Sequence, residues 1–304
     1  MDERARMHVI RFADEQSTVH CGVSTGDGAV SALSGVRQIA DLLALPAADF
    51  RALVTATARR PPTHRVDGGV TLLPPVDGRT EVWAAGVTYE RSRDARVEES
   101  TEQSVYERVY DADRPELFLK SVAWRVVTDG EPIAIRADSE LDVPEPELGV
   151  VANAAGEIVG YVVVDDVSSR GIEGENPLYL PQAKIYAGSC AVGTGIRPAW
   201  EVADARALDI TLTVRRGRGT AYRATVSTAR LRRRPADLVG YLYRGQSFPH
   251  GAVLSTGTGI VPDIDFTLRT GDIVEIDISE VGRLVNPVGT TRQAAAVVDS
   301  RAGD

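Results

Sequence analysis

Only two of the 304 residues are cysteine, Cys21 and Cys190, far apart and in no metal-ligand spacing. This argues against a disulfide framework. No apolar run approaches the roughly 20 residues a membrane-spanning helix needs, so no membrane partner is expected. The opening MDERARMHVIRF mixes acids and bases without an apolar stretch, which predicts no signal peptide. Basic charge is also scarce: 34 Lys and Arg stand against 43 Asp and Glu, a formal net charge of −9. A protein that grips nucleic acid shows the opposite balance. The one basic cluster, Arg230, Arg232, Arg233 and Arg234, ends at Pro235 and reads as a solvated loop or strand edge. Internal repeats and low-complexity tracts are absent. What remains is a soluble, cytoplasmic chain of ordinary globular composition, long enough for a large core.

The first part of the chain reads as a small α/β module. HVIRFA and VHCGVST have the texture of short strands, helical spacing runs from Val36 to Leu43 and ends near Pro46, and a second helix is expected over 47–59. Arg60-Pro61-Pro62 and VTLLPPVDG form a linker, placing a domain boundary near residue 75. WAAGV is a buried strand. From Tyr89 to Glu116 the chain turns polar, with Val97, Thr101, Val105 and Val109 every fourth residue. That is one thin apolar stripe on a helix, suited to a lid over a site or to an ordinary surface helix. Beyond residue 117 short strands dominate, and Ile273–Ser279 alternates cleanly as a half-buried strand. The fold class is therefore α+β: residues 1–75 as the small module, 76–304 as a large, mainly β domain with a helical insertion at about 89–116.

DVPEPELGV raises the chemical question. In extended chain Glu145 and Glu147 point to one side, like charge beside like charge. Solvent, a proton or a cation would relieve the repulsion. Taken alone the pair reads as an exposed strand edge. A third acid changes that reading. In GYVVVDDV the residues Val162, Val164 and Asp166 share a face, and a carboxylate on the buried side of a valine-rich strand needs a partner. The set Glu145, Glu147 and Asp166 is all-oxygen and suits Mg²⁺, with Mn²⁺ the alternative and Ca²⁺ less favoured. None of the four histidines lies near these segments. Asp165 faces the other way and reads as structural. Lys184, in apolar PQAKIYAGS, and Arg170 would complete a site for a small anion bearing a carboxylate and a ketone.

The order Pro-Glu-x-Glu-Leu, Gly-Tyr, Asp-Val-Ser-x-Arg and then Lys resembles the fumarylacetoacetate hydrolase family. So do Thr256-Gly257-Thr258-Gly259, TGDIV and GRLVNPV. The resemblance runs over about 80–290. It implies a mixed β-sandwich-roll catalytic domain, a divalent metal on Glu145, Glu147 and Asp166, and a homodimer or homotetramer. It places Lys184 and Arg170 at the substrate, with Tyr89, Lys120 and Thr258 as further substrate contacts. GVTYERSRDAR and IEGENPLYLPQAKIY look most like the branch that dehydrates 2-keto-3-deoxy sugar acids such as 2-keto-3-deoxy-D-arabinonate. Hydrolase and decarboxylase members carry a His and a Glu where Ser92 and Ala95 stand, so the water-activating pair is missing. Asp165-Asp166 and Arg170-Gly171 also depart from the commoner Asn-Asp and Arg-Asp.

The resulting expectation is metal-dependent dehydration of a 2-oxo acid through an enolate. Lys184 serves as base or enolate partner, Glu90 or Glu116 as proton donor to the leaving hydroxyl, and Glu173 orients a water or substrate hydroxyl. Two alternatives stand beside it: C–C hydrolysis or decarboxylation of an acylpyruvate or β-keto acid, and a metal-dependent binding protein without catalysis.

Overall fold

The run Gly160–Asp166 is apolar without alternation because the strand that contains it is covered on both faces. In the computed structural model, which describes residues 7–99 and 108–301, this strand, Ile158–Asp166, lies near the middle of a twelve-stranded sheet. Val162 and Val164 pack on one face with Leu42, Leu43, Phe50 and Val54 from the N-terminal helices. Val163, pointing the opposite way, joins Leu148 and the apolar side of a second sheet, including Ile210, Leu212, Val274 and Ile276.

The large sheet runs in the order His64–Arg65, Ala29–Ala32, Val19–Ser24, His8–Ala13, Gly195–Pro198, Ile158–Asp166, Pro146–Ala152, Ala252–Ser255, Glu81–Gly86, Glu116–Val122. Its pairings along this path are antiparallel except that of Ala252–Ser255 with Glu81–Gly86. The strands of residues 1–75 thus continue the central sheet, because His8–Ala13 pairs with Gly195–Pro198. The second sheet has five strands: Gly219–Ser227, Asp209–Arg216, Ile273–Ile278, Gly282–Thr290 and Ile133–Ile135. In Ile273–Ile278 the alternation is literal: Val274, Ile276 and Ile278 are buried and Asp277 is exposed. The sheets face each other across a shared apolar layer, the sandwich arrangement that two one-sided sheets favour.

The N-terminal helices are Ile39–Leu43 and Ala47–Ala58. The polar segment after the strand Glu81–Gly86 begins with the helix Glu90–Glu99, and 108–111 is helical again. Of the fourfold stripe, Thr101 and Val105 lie outside the described residues. The basic cluster is less solvated than its composition suggests. Arg230, Arg232 and Arg234 are exposed. Arg233, however, donates to the carbonyls of Ala112 and Asp113, and the Arg232 backbone N–H donates to Thr88 O at 2.9 Å. The cluster therefore ties down both Thr88 and the 108–113 stretch.

Candidate active site

Register brings the acids together. Pro146–Ala152 pairs antiparallel with Ile158–Asp166, Glu147 opposite Val164 and Pro146 opposite Asp165. Glu147 shares its face with Gly149 and Val151, as Asp166 does with Val162 and Val164, so the acids extend the valine face at the strand ends. Gly149 is required here: a Cβ would stand 2.6 Å from the Cγ2 atoms of both Val162 and Val164. The two strand ends are locked, since Glu145 N–H donates to Asp165 Oδ1 at 2.9 Å and Asp166 N–H to Glu145 O at 3.0 Å. Burial pushes the Asp165 carboxyl up to about 7, and its contact with the Glu145 backbone agrees with a structural role.

Glu145, Glu147 and Asp166 are all buried and offer oxygens within 4.8 Å of one another. Solvent screening is thereby removed as the answer to their repulsion. Cationic side chains supply part of it. Lys184 Nζ lies 2.7 Å from Glu145 Oε2 and 3.3 Å from Asp166 Oδ2, and it donates to Ser168 Oγ at 2.5 Å. Arg170 Nη2 holds Glu145 Oε1 at 3.1 Å. Lys120 Nζ sits 2.5 Å from Asp166 Oδ1 and donates to the carbonyls of Val167 and Lys184 at 2.9 and 2.7 Å. Glu147 is held differently, by Ser255 Oγ at 2.6 Å and Gly257 N–H at 2.7 Å on Oε2. Its carboxyl is held well above the usual range by burial, then by the charges of Asp166 and Glu145.

A small, tight cavity opens on this cluster, walled by Glu145, Glu147, Asp166 and Lys184 together with Glu116, Glu173, Ser92 and Thr258. The three clustered carboxylates form an all-oxygen donor set, which fits a hard divalent cation. The glutamate-holding turn needs Gly257, whose φ is +93° and whose added Cβ would meet Thr88 Oγ1 at 1.9 Å. Gly86 lets Glu116 approach, since a Cβ there would stand 2.1 Å from Glu116 Oε2. Between them Val87, a β-branched residue, has φ +51°. Strain of this kind persists only where the surroundings enforce it.

Several expected site residues stand elsewhere. Glu90 is an exposed residue paired with Arg93 and is not part of the cavity wall. Lys120 and Arg170 grip carboxylates from behind rather than lining the cavity. Tyr89 belongs to the core between the sheets, with its phenol pushed above the usual range by burial and then Glu147. Thr258 does line the cavity, and its hydroxyl donates to Ile260 O at 3.1 Å. Ser92, at the position of the missing histidine, donates to Tyr89 O at 2.7 Å and shapes the start of the helix; Ala95 is buried. Ser168, Ser255 and Gly257 were not foreseen as partners of the acids. One simple signal was available for Lys120 and Lys184: they are the only lysines in the chain, every other strong base being arginine. A compact ammonium enters a crowded carboxylate cluster where a planar guanidinium does not fit as readily.

A mainly β two-sheet fold with buried oxygen ligands at one strand end is the frame in which the comparisons with known proteins fall. The profile described as Fumarylacetoacetate (FAA) hydrolase C-terminal matches residues 81–289, and the chain belongs to this family. It is 45% identical over 228 residues to a 2-dehydro-3-deoxy-D-arabinonate dehydratase of Saccharolobus solfataricus, spanning 74% of this chain and 76% of that protein. It is 49% identical over 216 residues to a probable 2-keto-3-deoxyxylonate dehydratase of Haloferax volcanii, spanning 71% and 74%. Among solved structures, a 2-keto-3-deoxy-D-arabinonate dehydratase complexed with magnesium and 2,5-dioxopentanoate superposes with a TM-score of 0.76 at 35% identity, covering 93% of this chain and 98% of that one.

Proposed function

We propose that the protein is a magnesium-dependent dehydratase of a 2-keto-3-deoxy sugar acid. The observation that carries this reading is the buried trio Glu145, Glu147 and Asp166 beside Lys184, on a chain 45% identical to a dehydratase of such an acid. Glu145, Glu147 and Asp166 would hold the ion, which when bound polarises the 2-keto group and acidifies the C3 protons. Lys184 lines the cavity with its ammonium between Glu145 and Asp166, so as the ammonium it steadies the enolate, and it serves as base only after giving up its proton. Glu116 and Glu173, on the same cavity wall, are the groups to deliver a proton to the departing C4 hydroxyl and to orient it. Closing such a site to water would favour elimination over hydrolysis. Ser92 and Ala95 supply no water-activating pair, and this weighs against C–C hydrolysis.

In this reading Lys120 and Arg170 are supports that aim Asp166 and Glu145. The helical stretch from Glu90 covers the cavity mouth, and Glu90 enters only if that stretch moves inward. Residues 1–75 act as a brace for the central sheet. We also read the working form as a homodimer or homotetramer, a reading supported by the exposed apolar residues Trp124, Leu178 and Ile264.

The test is an assay of the purified chain on 2-keto-3-deoxy-D-arabinonate, with acylpyruvates and oxaloacetate alongside, each with and without Mg²⁺. Release of water from the sugar acid, dependent on Mg²⁺, is expected. Carbon–carbon cleavage products without dehydration, or turnover indifferent to metal, would overturn the reading.

A further inference from the structure

Far from the acids, on the N-terminal strands, a second set of ligand-type side chains converges. Asp14, His20 and His64 offer ligand atoms that all lie within 4.8 Å of one another. They come from three places: the turn after the strand His8–Ala13, the strand Val19–Ser24, and the strand His64–Arg65. Two of the chain's four histidines thus meet at one carboxylate. We infer that Asp14, His20 and His64 form a binding site for a transition-metal cation such as Zn²⁺, separate from the carboxylate cluster.

The geometry supports each ligand in turn. The Asp14 carboxylate is fixed before any cation arrives, since Oδ1 accepts from the backbone N–H groups of Gln16 and Thr18, both at 2.9 Å. This turns Oδ2 toward His20, whose Nε2 lies 2.8 Å away. On His64, Nδ1 lies 2.9 Å from the Thr63 hydroxyl, which also reaches Val30 O at 3.3 Å and accepts from Ala32 N–H at 3.1 Å. In the tautomer in which Nδ1 donates to that hydroxyl, His64 Nε2 carries the lone pair. A hydroxyl or carbonyl on the far nitrogen is how metal-binding imidazoles are commonly oriented. The Phe12 ring packs against both imidazoles, centroids 5.4 and 5.1 Å away, and the two imidazoles are 5.6 Å apart.

Ligand atoms around one tetrahedral Zn²⁺ stand about 3.3 Å apart for bonds near 2.0–2.1 Å. The 2.8 Å His20–Asp14 contact lies just inside that separation, and the remaining atoms need only a modest approach. His20 Nε2 ligates a cation only in the tautomer that carries its proton on Nδ1. Two imidazoles and one carboxylate select zinc-like ions, whereas the oxygen-only cluster suits magnesium. All three residues are partly exposed, so a fourth position is open to water or a solute anion. A cation here would cross-link the strands His8–Ala13, Val19–Ser24 and His64–Arg65 at the free edge of the large sheet.

The test uses the full, untagged chain, stripped with a chelator and titrated with Zn²⁺ at saturating Mg²⁺. His64→Gln is expected to bind one Zn²⁺ fewer per chain than the wild type, and His20→Gln likewise. Magnesium-dependent turnover of these variants should be unchanged. Thr63→Val, which removes only the hydroxyl that orients His64, should weaken this zinc about 10–100-fold. Crystals soaked in Zn²⁺ should show an anomalous peak between His20 and His64, a readout that needs no variant to fold. Equal zinc stoichiometry in wild type and His64→Gln, or anomalous signal confined to Glu145, Glu147 and Asp166, would overturn the inference.

Discussion

Lys120→Met separates two roles that a buried lysine at a substrate site can have. Lys120 has no exposed surface, and its ammonium touches Asp166, Val167 O and Lys184 O. Methionine keeps the volume and removes the charge. Breaking one side of a buried ion pair costs about 3–5 kcal/mol, because the partner charge stays desolvated. The unfolding entropy of about 2.1 cal/mol/K per residue makes 1 kcal/mol worth about 1.6 °C in a chain of 304 residues. A fall in Tm of about 5–8 °C is therefore expected for the metal-free protein. Mg²⁺ should recover part of it by neutralising Asp166. Thermal unfolding with and without Mg²⁺, beside steady-state kinetics, gives the answer. A contact with substrate alone would raise KM and leave the metal-free Tm unchanged. That outcome would refute the assignment of Lys120 as the clamp of Asp166.

Three further outcomes follow from the geometry. Gly257→Ala should abolish the rise in Tm on adding Mg²⁺, because the new Cβ collides with Thr88 Oγ1 and displaces the N–H that holds Glu147; a thermal shift equal to the wild type would contradict this. Burial pushes the Asp142 carboxyl up from 3.8 to about 6, so the native state holds the extra proton between those values and loses stability as pH rises through them. Asp142→Asn removes that loss, and its Tm relative to the wild type should climb between pH 4 and pH 7; a constant difference would sink the argument. Burial also pushes the thiols of Cys21 and Cys190 up to about 12. Neither should react with an aromatic disulfide reagent at pH 8 in the folded protein, and both should react once it is unfolded; rapid labelling of the native chain would show the burial to be wrong.

Much of the site was legible because its signals are local. Glu145 and Glu147 are two residues apart in extended chain, and Asp166 ends a strand whose valines announce burial, so period-two geometry singled out the three acids that the fold brings together. Glu116, Glu173 and Thr258 were also foreseen as site residues, and all three reach the cavity wall. Lys120 and Arg170 were harder, since chemistry alone marks a cation near acids without saying on which side of them it stands. Glu90 and Glu116 look alike in a polar stretch. Only the return of the chain as the strand Glu116–Val122 beside Glu81–Gly86 separates the half-buried acid on the cavity wall from the exposed one.

By itself the sequence determined that this chain is a mainly β protein with a cation-seeking set of carboxylates, because alternation, proline stiffness and acid spacing are short-range properties. The tertiary structure decided which groups balance that charge. Lys184, Lys120, Ser255 and Gly257 reach the acids from positions 18 to 110 residues away, and such distances are closed only by strand pairing. The same pairing gathered Asp14, His20 and His64 at a sheet edge, where no spacing along the chain could have joined them.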